Sequence, residues 1–306
     1  MKRYLVIVLC AISTFAHAEI WRFGLIGDVP YSDYERLELP KMINAIAEQN
    51  VSFIAHIGDF KHGKDRCDDS LFEDRYQVFN ASRAPFVFIP GDNEWTDCSR
   101  VSNGSFDPEE RLNKLRQLFW KSTDSLGQTK IVMERQRGPY AEHAVFQLGP
   151  VLFVTLNMPG GDNNHGKADQ PRQEYLARNA AVLAWVKENF AYARQQKLRG
   201  IILMFQANPG FKHYAQGLGH RGFRDFLKLL DQETQQFSGE VVVVHGDTHN
   251  SQIDHPLRDS DGKRIKRFTR IETFGYPTMG WTRGVIDTNA KHLFRFETYA
   301  WPPHTP

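Results

Sequence analysis

The sequence predicts an α/β protein built on a largely buried central sheet, and three observations predict it. Short apolar runs end in glycine or polar clusters, and longer segments of helical periodicity separate them. The two kinds follow one another as β-α-β-α-β, then a hairpin, then α-β-α-β and a strand-rich tail. Such alternation buries a mostly parallel sheet beneath helices.

In chain order, the run 20–26 reads as a strand ending at Gly27, and 34–49 as a helix. The run 51–57 ends at Gly58, 70–81 is helical, and 85–89 ends at Pro90-Gly91. Residues 108–120 start as a helix should, because Pro108 is tolerated in the first turn and Glu109 and Glu110 favour the positive end of the helix dipole. Runs 144–148 and 151–156 pair as a hairpin, followed by helix 171–195, strand 201–205, helix 222–236 and strand 241–244. Runs 267–274 and 292–298 complete the strands. No repeat, low-complexity tract or long linker divides residues 19–306, which read as one domain.

The 38 Lys and Arg against 36 Asp and Glu lack the basic excess of a dedicated nucleic-acid binder. Lys2 and Arg3, the apolar run 5–12 and the small-residue site Ala16-His17-Ala18 have the layout of a secretory signal peptide. Residues 1–18 are expected to be removed, leaving an exported, periplasmic or extracellular protein. The apolar stretch is well short of the ~20 residues that span a bilayer, so no stable membrane anchor is expected. Losing Lys2 and Arg3 equalises the basic residues with the 36 acidic ones. Cys10 leaves with the signal, and an oxidising compartment permits Cys67 and Cys98 to pair.

Gly-Asp pairs stand directly after four of the strands: Gly27-Asp28, Gly58-Asp59, Gly91-Asp92 and Gly246-Asp247, the last followed by His249. The carboxyl edge of an open α/β sheet is where ligands bind. A single strand-end aspartate is ordinarily a cap or turn residue. Four converging on one edge repel one another strongly unless cations neutralise them, so the pattern predicts a metal site.

From Asp28 to His249 the order and spacing resemble the calcineurin-like metallophosphoesterase superfamily. The resemblance implies a two-sheet sandwich flanked by helices, holding two metal ions. It matches Asp28 to the first ligand, Asp59 to the bridging carboxylate, Asp92 to a metal-binding Asn, and Asn93 to the catalytic His. Asp247 and His249 match the two closing histidines. Pro30 stands where the first motif has a His; His62, three residues after Asp59, is the candidate replacement. The run Met204-Phe205-Gln206-Ala207-Asn208-Pro209 lacks the expected His, leaving Gln206 or Asn208 as amide-oxygen ligands. Imidazoles are thus replaced by oxygen donors, which suit Mn²⁺ or Mg²⁺ better than zinc.

The implied reaction is hydrolysis of phosphate mono- or diesters by in-line attack of water. Asn93 has no useful proton for a leaving group, so either His62, His245 or His165 is expected to supply it or the substrate carries a good leaving group. Cys67, eight positions past Asp59, and Cys98, six past Asp92, lie in neighbouring loops of the same edge and are expected to form a disulfide. The loop 157–169 is a candidate pocket wall, Trp95, Tyr31 and Tyr276 candidate stacking residues, and Lys61 a candidate phosphate contact. The alternative is a non-catalytic metal- or ligand-binding protein on a degenerate scaffold. No glycine-rich dinucleotide fingerprint or serine nucleophile elbow is present. Substrate identity and oligomeric state stay open.

Overall fold

A computed structural model describes residues 19–259 and 261–303. The expected signal peptide lies outside the described residues.

The amino-terminal half runs β1 (Ile20–Ile26), α1 (Asp33–Ala47), β2 (Ile54–His56), α2 (Asp69–Asn80), β3 (Phe86–Phe88) and α3 (Pro108–Phe119). Next come β4 (Glu134–Arg135), β5 (Ala144–Leu148), β6 (Val151–Thr155), the short α4 (Gly160–Asn163) and the ribbon β7 (Gly166–Lys167) with β8 (Gln170–Pro171). The remainder is α5 (Gln173–Gln195), β9 (Gly200–Met204), α6 (Phe211–Tyr214), α7 (Arg224–Gln236) and β10 (Glu240–His245), then β11 (Gln252–Asp254), β12 (Phe268–Glu272), β13 (Gly280–Asp287) and β14 (Phe294–Ala300). The start of α3 follows its sequence: Pro108 occupies the first turn and the Asp107 carboxylate accepts from the Glu110 N–H at 2.8 Å.

The strands form two main sheets, ordered β14-β13-β1-β2-β3 and β11-β12-β10-β9-β6-β5-β4. The single central sheet expected from periodicity is therefore corrected to a sandwich, the arrangement the family resemblance implied. Apolar runs mark burial on two faces but not whether the second face meets a helix or another sheet. Here one face of each sheet meets the other sheet: Phe23, Phe53, Ala55 and Ile57 share a cluster with Phe146, Phe153, Ile202 and Val244. Phe23 and Phe53 stack at 5.4 Å and both meet the edge of Phe153, at 5.2 and 5.0 Å. Outside, α1, α2 and α3 cover the first sheet and α5 and α7 the second.

Strand β13 escaped the sequence reading although it lies between β1 and β14. Gly280, Thr282, Arg283 and Gly284 interrupt its apolar pattern, and its pairing with β1 comes from chain more than 250 residues away. Strands β1, β2 and β3 run parallel, as do β6, β9, β10 and β12. Their carboxyl ends bring the loops after β1, β2, β3, β6, β9 and β10 to one edge.

Candidate functional site

Sharp turns at the strand ends aim the carboxylates into that edge. Asp28, Asp59, Asp247 and His249 all have left-handed φ, at 51°, 59°, 76° and 58°. Such backbone costs about 1–2 kcal/mol per residue and persists where the surroundings over-determine it. The preceding glycines do more than turn the chain. A Cβ on Gly91 would stand 2.1 Å from Asp59 Oδ1, and one on Gly246 2.1 Å from Asp28 Oδ2. Each makes room for a carboxylate from another loop.

Asp28, fully buried, accepts from the Asp247 N–H at 3.0 Å and lies 3.5 Å from His249 Nε2. Asp59 Oδ1 accepts from the Asn93 N–H at 3.1 Å, and its Oδ2 from the Tyr31 hydroxyl at 3.0 Å and Gln206 Nε2 at 3.1 Å. Asp247 Oδ2 accepts from the Asn208 N–H at 3.1 Å. The predicted residues Asp28, Asp59, Asp92, Asn93, Gln206, Asp247 and His249 thus meet at one place, and Asp59, Asp92, Asn93, Asp247 and His249 line a cleft of about 350 Å³ with Tyr31 and His62.

Burial governs the charge at this site. It is the first cause pushing the Asp28 carboxyl up to about 6 and that of Glu94 to about 7. It also raises Asp59 and Asp92, each pushed further by neighbouring carboxylates, and Asp247. His249 is raised chiefly by its hydrogen bond to Asp28. Carboxylates that hold protons this tightly need positive charge to ionise together.

The structure separates the candidate histidines. His62 is half-buried beside the cleft with its ring edge on Tyr31, centroids 5.5 Å apart. The Lys64 N–H donates to its Nδ1 at 3.0 Å, which leaves the proton of a neutral ring on Nε2. His245 is fully buried beside Arg270 with Nδ1 donating to the Gly246 carbonyl at 2.9 Å. His165 is buried against Tyr175, centroids 4.7 Å apart. Neither lines the cleft.

Other expectations change with the atoms in view. Gln206 Oε1 accepts from the Gly160 N–H at 2.6 Å, so its NH₂ faces Asp59 and Asp247. A backbone N–H can only donate, which fixes that amide orientation and turns the oxygen away from the carboxylates. Asn208 Oδ1 accepts from the Gly210 N–H at 3.0 Å. Lys61 is fully buried, donating to the His62 and Asp65 carbonyls rather than facing the cleft. Trp95 is buried beneath Arg178, 5.4 Å from guanidinium to ring, whereas Tyr276 is half-exposed and stacks on Tyr31 at 6.3 Å. The loop 157–169 does wall the site: Gly160 lies so close that a Cβ would stand 2.7 Å from Asp92 Oδ2 and 2.8 Å from Asp247 Oδ1.

Glu94 is the main residue that sequence reasoning passed over. Its Oε1 accepts from the Asp59 N–H at 3.0 Å and the Gly91 N–H at 2.6 Å, joining the loops after β2 and β3. The signal was its place two residues after Asp92. Tyr31 was read as a stacking residue, yet its hydroxyl also ties Asp59 to Asn93 Nδ2, at 3.0 and 2.8 Å.

Cys67 and Cys98 form the expected disulfide, and both sulfurs pass within 3.7 Å of the Asn93 carbonyl. Closing a loop of this length, a separation of 31 residues, removes about 3–4 kcal/mol of unfolded-state entropy. Cys98→Ser is expected to lose about that much stability, read as a lower urea midpoint together with a steeper slope, because the unfolded chain expands once the cross-link is gone.

The donor chemistry fits hard divalent cations. Asp92 Oδ1 is buried with no hydrogen-bond partner, and acidic oxygens crowd the edge. Among the described residues no three His, Cys, Asp or Glu side chains stand as one closed ligand set. The aspartates instead hold backbone N–H groups and the Gln206 amide.

In structural comparison the chain is similar to a dimetal phosphatase from Danio rerio, with 13% identity and a TM-score of 0.51, covering 92% of this chain and 99% of that one. It is also similar to a purple acid phosphatase from yellow lupin (Lupinus luteus) seeds, with 12% identity, a TM-score of 0.53 and 92% of this chain covered. The match spans about half of the lupin enzyme, 52% of its length. At these identities the likeness concerns the fold. No curated protein matches in sequence. The family model for calcineurin-like phosphoesterases matches residues 22–251, three-quarters of the chain and every strand-end aspartate of the site, and the protein belongs to that family.

Proposed function

We propose that the protein is an exported, metal-dependent phosphoesterase that hydrolyses phosphate mono- or diesters. The observation that carries this reading is the convergence of Asp28, Asp59, Asp92 and Asp247, with raised proton affinities, beside an open cleft in a phosphoesterase fold.

Asp28, Asp59, Asp92, Asp247 and His249 are the side chains to hold two divalent ions, Mn²⁺ or Mg²⁺ by their oxygen-rich chemistry. Bound there, such ions supply Lewis acidity, acidifying water and offsetting charge on phosphoryl oxygens. His249 is oriented for ligation once its Nε2 proton is lost, since Nδ1 donates to the Tyr276 carbonyl at 2.8 Å and leaves Nε2, 3.5 Å from Asp28, as the nitrogen facing the carboxylates. Asp59, tied to both Asn93 and Gln206, would be one of the carboxylates that hold the ions. Gln206 acts as a donor that orients Asp59 and Asp247. Asn93 is held by Tyr31 and the Lys61 carbonyl, facing the cleft. His62, with Nε2–H available beside the cleft, is the group to protonate a leaving oxygen.

Hydrolysis of aryl phosphate mono- and diesters, with EDTA and a Mn²⁺, Mg²⁺, Ca²⁺ and Zn²⁺ series, tests the reading. Turnover that EDTA removes and a divalent ion restores supports it; tight metal binding without turnover overturns it in favour of a binding protein. Export is tested separately, by a mature amino terminus at Glu19.

Cation linkage gives a further expectation. A carboxyl whose folded pKa lies above its unfolded value binds protons on folding, so its stability contribution is best below about 4 and falls as pH rises. For Asp28, raised from 3.8 to about 6, this is about 3 kcal/mol lost by pH 7. His249 acts in the same sense, stabilising below about 6.5 and less as pH rises through its raised value. Asp74, held low by Arg36, acts oppositely, so cation-loaded and EDTA-treated protein must be compared at each pH. The rise in Tm on adding Mn²⁺ or Mg²⁺ is expected to be larger at pH 8 than at pH 5.

A further inference from the structure

A second depression, about 630 Å³ in volume, adjoins the carboxylate cleft: Asp97 and Arg100 belong to the walls of both. Its other walls include Lys167 on the β7–β8 ribbon, Arg172 just beyond it, and Gly161 and Asn164. Arg100 pairs with Asp97 at 2.5 Å. Arg172 donates to the neutral amide oxygen of Asn164, so its charge meets no carboxylate there. Three cations against one carboxylate leave this groove positive, next to a cleft whose charge is negative. The groove has built walls. Gly161, Asp162, Asn163 and Asn164 follow one another in left-handed backbone, φ between 55° and 59°. The buried Arg178 clamps that turn through Asn163 Oδ1 at 2.6 Å and the Asn163 carbonyl at 2.9 Å, and Glu174 accepts from Asn164 Nδ2 at 2.8 Å. A Cβ at Gly161 would meet nothing within 4 Å, so the floor is open to a ligand.

Guanidinium and ammonium groups recognise phosphate, the former through paired N–H donors. Resting on the phosphoesterase reading, we infer that this groove is a second anion subsite: the substrate carries another phosphate-like group, which Arg100, Lys167 and Arg172 hold while the scissile ester sits at the carboxylate cleft. Two-point attachment makes the second contact intramolecular, so affinity rises steeply when the spacing matches. The preferred substrates are then small phosphate esters bearing a second phosphoryl group.

Non-hydrolysable probes separate this from turnover. Calorimetry on the metal-loaded protein would compare n-alkylphosphonates with α,ω-alkanediphosphonates of three to six carbons. At least one diphosphonate is expected to bind about tenfold more tightly than its monophosphonate. That gain should vanish in Lys167→Glu and in Arg172→Ala, with monophosphonate binding within about twofold of wild type. Lys167 is exposed, so Lys167→Glu reports even if Arg172→Ala disturbs the turn through Asn164. Equal affinity for mono- and diphosphonates across the series, or a gain surviving both substitutions, overturns the subsite. A substitution-sensitive gain in a protein without phosphoesterase turnover would keep the subsite and refute the catalytic reading instead; turnover with no such gain would do the reverse.

Discussion

Asp59→Asn is expected to lower kcat/KM on an aryl phosphate by about 10³-fold or more, the scale of losing a principal electrostatic group at a reacting centre. Asp59 is the carboxylate whose two oxygens meet donors from three loops: Tyr31 after β1, Asn93 after β3 and Gln206 after β9. Asparagine keeps the shape and removes the charge. Because burial and the charges of Asp92 and Glu94 already raise the proton affinity of Asp59, the uncharged side chain relieves repulsion. That relief offsets the loss of one acceptor, since the Asn NH₂ must face either the Asn93 N–H or Gln206 Nε2, and the Tm rise on adding Mn²⁺ or Mg²⁺ should shrink. Full turnover in this variant, or an undiminished cation-induced Tm rise, would refute the assignment.

Glu94→Ala should be the costliest substitution for folding at this edge, losing about 2–5 kcal/mol. It strips the acceptor from two backbone N–H groups, of Asp59 and Gly91, and each buried donor left without a partner costs about 1–3 kcal/mol. Glu94→Gln separates this role from charge. The amide oxygen can replace Oε1, and Glu94 Oε2 is a buried atom with no partner. Gln should therefore retain most of the stability. Urea denaturation of the three proteins decides the matter, and equal losses for Ala and Gln would show that charge, not backbone satisfaction, is what Glu94 provides.

The legible parts of this protein were those written in local pattern. The helices and the strands that carry the site fall where periodicity places them, because each apolar stripe is decided by residues a few positions apart. The four Gly-Asp pairs announced a common edge for a local reason too: a strand ending in glycine and a short polar residue turns at that point. Strand β13 was not legible, since its interrupted pattern is stabilised by β1 from the far end of the chain. Gln206 illustrates the same limit at atomic scale. Sequence placed it at the edge, but the Gly160 N–H on another loop determined which end of its amide faces the carboxylates.

By itself, then, the sequence determined the α/β element order, the acidic strand ends and the cysteine pair beside them, because these depend on neighbours along the chain. Periodicity did not divide the strands into two facing sheets; the motif resemblance implied that division, and the tertiary structure shows which strands fall in each. Tertiary structure alone buried His245 and Lys61 away from the cleft, left His62 beside it, and gave Glu94 the task of joining two loops. The physical reason is common to all of them. Side-chain direction at a strand end follows from the φ of a left-handed turn and from donors and charges on other loops. Those partners are tens to hundreds of residues distant and become neighbours only when the sheets close.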